Sequence, residues 1–171
     1  MGDPGTEEAA LKVRAFFDSN VLVYAFTAGD GRRDVAWRLI EQHGVGGSLV
    51  LSTQVLMETY NVLTRKKGAA PPDALLALRL LARHEVVAPS APAVLRALEM
   101  SAQHKLSAWN ALIVQAALEG GCDTLFTEDM QTGRRFGDLE IVNPFEVKAH
   151  EPAPAVKAPG PAAPRARRVR A

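Results

Sequence analysis

A chain of 171 residues with 47% hydrophobic residues and a formal charge of +1 is long enough for one domain with a sizeable core and too short for two comfortable ones. Its single cysteine, Cys122, excludes an internal disulfide, and neither it nor the scattered His43, His84, His104 and His150 falls at metal-finger spacing, which fits a reducing compartment. The N-terminus lacks the basic-then-apolar pattern of a secretory signal and no apolar run approaches the roughly 18 to 20 residues of a membrane span, so a soluble, cytoplasmic protein is expected.

The charge is split along the chain. Residues 148–171 hold Lys148, Lys157, Arg165, Arg167, Arg168 and Arg170 against Glu151 alone, with five of the eleven prolines, leaving 14 bases and 18 acids before them, a net −4. Too few large apolar residues remain there for a core, so a disordered tail is predicted. Residues 1–12, polar and with Gly2, Pro4 and Gly5, read as a loose lead-in, which leaves 13–147 as the domain.

Arg14 to Phe17 reads as a strand buried on both faces, because apolar residues run together instead of alternating. Ser19 and Asn20 interrupt that run before Val21 to Phe26, the first turns of a helix. Gly29-Asp30-Gly31 is a loop, and Arg32 to His43 a helix with Val35, Ala36, Leu39 and Ile40 on one stripe, ended by Gly44, Gly46 and Gly47. Ser48 to Leu51 is a second buried strand, and Ser52 or Thr53 caps a helix to about Lys67. Pro71-Pro72-Asp73 opens a leucine-rich helix that stops near His84. Glu85 to Ala88 is a third strand, and Ser90 with Pro92 starts a helix with Val94, Leu95, Leu98 and Ala102 inward. Ser107 caps the most apolar helix, Ala108 to Glu119, read as buried on nearly all faces and ended by Gly120-Gly121. Thr124 to Thr127 is the fourth strand, and Leu139 to Val142 a final one. Strands alternating with helices at this spacing imply a parallel sheet with helices on both faces.

In such a sheet ligands bind beyond the carboxyl ends of the strands. Asp18 ends the first strand and Asp129 follows the fourth, so both fall on that edge. Two roles are open to Asp18, a functional carboxylate or a helix N-cap. Glu58 lies one to two turns into the helix after strand two, near the same edge, between the cleft and open solvent as alternatives. Asn110, three residues after Ser107, is either a further site residue or the partner of a helix cap. Carboxylates brought together without bases must take up protons or bind a cation. Mg²⁺ or Mn²⁺ suits oxygen ligands and is often held by one or two carboxylates plus phosphate oxygens, which points to phosphodiester hydrolysis.

Five blocks in order carry a family resemblance: Phe17-Asp18-Ser19-Asn20-Val21-Leu22-Val23-Tyr24, Ser52-Thr53-Gln54-Val55-Leu56-Met57-Glu58, Leu106-Ser107-Ala108-Trp109-Asn110-Ala111-Leu112-Ile113, Gly121 to Asp129, and Asn143-Pro144-Phe145. Over about Val13 to Phe145 the chain resembles PIN domains, more narrowly the VapC-type ribonuclease toxins of bacterial toxin–antitoxin pairs. The resemblance implies an α/β/α sandwich around a short, mainly parallel sheet, a Mg²⁺-dependent endoribonuclease, an RNA substrate, a cognate antitoxin and a homodimer. It gives Asp18, Glu58 and Asp129 as the acidic positions, with Asp18, position 110 and Asp129 as metal ligands. The departure is Asn110, where the family pattern has Asp: an amide keeps a coordinating carbonyl and loses the charge, which weakens both cation affinity and the activation of water.

Phosphate contacts need cations. Arg134 and Arg135 follow Asp129 most closely and are favoured for RNA over Arg32, Arg33, Arg38, Arg65, Lys66 and Lys67. Trp109 and Tyr24 have the faces to stack on bases, though core burial is expected for both. Two other readings compete: a PIN-like binding module silenced by Asn110, and a phosphatase of the haloacid dehalogenase type, suggested by Asp18 and Asn20 but lacking the second Asp and the later lysine. Glycine-framed serine-hydrolase and Walker motifs are absent.

Overall fold

The structure, a computed structural model, describes residues 13–146. The predicted lead-in and the predicted tail lie outside the described residues. The order is β1 (Ala15–Phe17), α1 (Ser19–Phe26), α2 (Arg33–Val45), β2 (Leu49–Ser52), α3 (Thr53–Arg65), α4 (Pro71–Leu81), β3 (Glu85–Val87), α5 (Ala91–His104), α6 (Ala108–Glu119), β4 (Thr124–Phe126), β5 (Arg135–Phe136) and β6 (Leu139–Val142). The sheet runs β3-β2-β1-β4-β6-β5. β1 and β4 therefore lie at its centre, and all pairings are parallel except β5 with β6. The antiparallel β5 is two residues long, too short to be seen as an apolar run.

Alternate residues of a strand point to opposite faces, and this fixes the layers. Phe17 and Phe126 are in register and both pack against the His43 ring of α2, at 5.6 and 5.7 Å between centroids. Phe16 is in register with Val50 and Leu125, and Val50 and Val87 close on Gly120 at the end of α6. The helices α2 and α6 thus cover opposite faces, an α/β/α sandwich. Phe16, Phe17, Leu51, Leu125 and Ile141 are fully buried in its core. Burial also lowers the pKa of His43, whose Nδ1 lies 2.8 Å from Ser48 Oγ.

Each of the first three strands hands over to a capped helix, which orients the carboxyl edge. Asp18, Ser52 and Ser90 accept from the N–H groups of Ser19, Val55 and Ala93, meeting donors that the first helical turn leaves unpaired. No helix among the described residues is long and apolar enough to cross a membrane.

Two predicted packings change. On α5 the buried positions are Ala93 and Ala97, while Val94, Leu95, Leu98 and Ala102 are exposed. Small residues let α5 approach α6, and the larger side chains are turned out. Trp109, expected in the core, is 69% exposed, because the first turn of α6 projects past the sheet. Tyr24 is half-buried, edge-on to Phe145 at 5.1 Å.

Gly120 has an ordinary φ of −74°, so its role is space. A Cβ there would stand 2.9 Å from Val50 Cγ1 and 3.3 Å from Val87 Cγ2. Gly120→Ala is expected to cost about 1–3 kcal/mol through overpacking, read as a lower urea midpoint at unchanged slope; an unaltered midpoint would show that this contact yields freely.

Candidate functional site

Because β1 and β4 are neighbours in register, the residues that follow them, Asp18 and Thr127, leave the sheet side by side. The Asp18 N–H donates to the Phe126 carbonyl at 3.0 Å. Its Oδ1 accepts from the Ser19 N–H at 2.6 Å and its Oδ2 from the Thr127 hydroxyl at 2.7 Å. Of the two roles open to Asp18 in the sequence, the helix cap is seen directly in Oδ1, while Oδ2 is turned to Thr127. Thr127 Oγ1 also accepts from the Asp129 N–H at 3.1 Å. Asn20 reaches in from the first turn of α1, its Nδ2 donating to Thr127 Oγ1 and Asp129 Oδ2 at 3.1 Å each and standing 3.5 Å from Asp18 Oδ2. Asn20 Oδ1 is buried without a partner.

Asn20 and Thr127 are the residues that sequence reasoning missed as site members. The signal was present: each stands two positions from an acid, Asp18-x-Asn20 and Thr127-x-Asp129. What the sequence does not display is that these two pairs meet across 107 residues.

Glu58 and Asn110 face each other across a neighbouring cleft of about 860 Å³ between α3 and α6. Glu58 is exposed to it. Ser107 Oγ caps α6 by accepting from the Asn110 backbone N–H at 3.0 Å. Burial pushes Asp18 up to about 6, helped by the like charges of Glu58 and Asp129 and opposed by the hydrogen bonds from Thr127 and Ser19. Glu58 is therefore within electrostatic reach of Asp18.

The ligand atoms that Asp18 and Asp129 themselves offer are carboxylate oxygens, and a hard cation beside them would offset the cost of charging Asp18. In this respect the residues fit Mg²⁺ or Mn²⁺. The three carboxylates do not close on one point: among the described residues no three Asp, Glu, His or Cys side chains form a group that could hold an ion by themselves. Asp18 and Asp129 are brought together, and Glu58 and Asn110 line the neighbouring cleft.

The favoured arginines are engaged elsewhere. Arg135 pairs with Glu140 at 2.8 Å, and Glu140 is in register with Thr124 at the start of β4, toward the amino end of the sheet and away from the acids. Arg134 donates to the His104 carbonyl at 2.8 Å and lies over the Phe136 ring at 4.9 Å. Arg32 is held by Asp30 and Glu128 at 2.9 and 3.0 Å and stacks on Tyr24 at 3.6 Å; Tyr24 donates to Glu128. Arg65 and Lys66 line the cleft beside Glu58.

A buried acid whose pKa is higher folded than unfolded favours the folded state only while protonated. In the metal-free protein Asp18 therefore weakens the fold as pH rises from about 4, its unfolded value, to about 6, with the full effect above that. Urea melts with chelator present are expected to show Asp18→Asn gaining on the parent across this window by up to about 3 kcal/mol. A difference that stays flat from pH 4 to 7 would contradict the burial of a charged Asp18.

The chain matches the PIN domain family over residues 15–135. Among solved structures it is similar to VapC20 of Mycobacterium tuberculosis, a sarcin-ricin loop cleaving toxin, at 26% identity over 67% of this chain and 91% of that one, TM-score 0.58. Its fold is also that of a chain in a toxin–antitoxin complex from Klebsiella pneumoniae, at 19% identity over 78% and 99% of the two chains, TM-score 0.58. VapBC2 from Rickettsia felis, bound to a DNA fragment from its promoter, gives 20% identity over 77% and 98%, TM-score 0.57. A search of curated protein sequences gives no significant match. Because the family match runs from β1 into β5, well over half of the chain, the chain belongs to the PIN domain family.

Proposed function

We propose that this PIN-domain protein is a metal-dependent endoribonuclease, the toxin of a toxin–antitoxin pair. The observation that carries the reading is the bridged pair Asp18 and Asp129, joined by Asn20 and Thr127 at the carboxyl edge. The similarity to a toxin that cleaves the sarcin-ricin loop supports RNA as the substrate. The complexes from Klebsiella pneumoniae and Rickettsia felis support a cognate antitoxin as partner; a homodimer is the assembly that the family resemblance implies.

In this reading the Asp18 and Asp129 carboxylates would hold Mg²⁺ or Mn²⁺, with the Asn110 carbonyl as a further ligand. A bound ion supplies Lewis acidity toward the phosphodiester and makes nearby water more acidic. Asn20 and Thr127 hold the two carboxylates in place, donating to oxygens that would otherwise repel. Glu58 would take the proton of the attacking water as its oxygen bonds to phosphorus, and that proton would pass on to the departing ester oxygen, which leaves as an alcohol.

Asn110 supplies no charge, so the chain as it stands is a weakened enzyme. Titration of Mn²⁺ against a panel of structured and unstructured RNAs is the test. Asn110→Asp is expected to raise cleavage at least about tenfold, Asp18→Asn to abolish it, and chelator to silence every form. Equal activity in all three versions would defeat the assignment. RNA binding with no cleavage even in Asn110→Asp would favour the silenced binding module.

A further inference from the structure

We infer that the cleft beside Glu58 and Asn110 is a nucleotide subsite, in which Trp109 stacks on a base of single-stranded RNA and Arg65 and Lys66 take an adjoining phosphate. The inference rests on the nuclease reading and extends it from the cut bond to the strand around it. Its volume of about 860 Å³ is in the range of small-ligand sites.

Four lining residues of α3, Gln54, Glu58, Asn61 and Arg65, stand at spacings of four, three and four, which places them on one helical face. That face runs amide, acid, amide, cation. At 1.5 Å per residue Arg65 lies about 10 Å beyond Glu58 along the axis, the reach of a nucleotide or two. The acid at the near end belongs with the cation-binding edge, and the base at the far end with a phosphate.

Opposite, Trp109 presents an indole 69% exposed, adjacent in sequence to Asn110. Every base has a π-face, so an aromatic wall is a sequence-tolerant platform. Neither Arg65 nor Lys66 forms an ion pair among the described residues, whereas Arg32 and Arg135 both do.

The full chain carrying Trp37→Phe leaves Trp109 as its only tryptophan. Titrated in chelator with a short single-stranded RNA, its emission is expected to quench saturably. Labelled-RNA anisotropy should show Trp109→Ala binding about tenfold more weakly, with Trp109→Phe keeping most of the affinity. Arg65→Ala with Lys66→Ala should weaken binding and flatten the salt dependence by about two in slope. Wild-type affinity in Trp109→Ala would overturn the subsite, as would Trp109 emission that follows protein concentration and ignores RNA, the mark of a subunit interface. Cleavage by Asn110→Asp, measured alongside, separates the two readings. Lost cleavage with quenching intact counts against the nuclease and supports the subsite; cleavage with KM unchanged in Trp109→Ala overturns the subsite alone.

Discussion

The site hangs on one buried hydroxyl. Thr127 is fully buried, donates to Asp18 and accepts from the Asp129 N–H and the Asn20 amide. A hydroxyl offers one hydrogen and two lone pairs, and here all three are used. Through it the ends of β1 and β4 are locked at the height of their carboxylates. Without it Asp18 and Asp129 would be two acids in adjacent loops, each free to turn toward water.

That lock has an electrostatic cost. Burial and two neighbouring acids raise the pKa of Asp18 to about 6, and the opposing hydrogen bonds only partly compensate. Stored unfavourable charge of this kind is a common property of functional sites, and a cation is the simplest way to relieve it. Arg32 is the nearby base, yet it is spent on Asp30, Glu128 and the face of Tyr24. It braces the residue before Asp129 and leaves the Asp18 pair uncompensated. Asn110, as an amide, brings no negative charge to the cleft that it lines.

Much of this was legible in the chain. The strands show as unbroken apolar runs because a parallel sheet is covered on both faces, and their ends give the edge where Asp18 and Asp129 meet. The inward face of α5 was misread because size was taken for burial: Ala93 and Ala97 make the close contact, and the leucines stay outside. Trp109 was misread because α6 is apolar on nearly every side, so nothing in its composition marks the one turn that leaves the core. Arg134 and Arg135 are near Asp129 in sequence, but β5 carries Arg135 back along the sheet to Glu140. Asn20 and Thr127 matter only through each other, and a contact spanning 107 residues leaves no local pattern.

The central claim is that Asp18 and Asp129 share one divalent ion. Anomalous diffraction from a crystal soaked in Mn²⁺ tests it most directly. The expected map has a peak within coordination distance of both carboxylates, on the side facing Asn110 and Glu58. A manganese peak elsewhere, or none with Asp18 and Asp129 still bridged by Thr127 and Asn20, would contradict it.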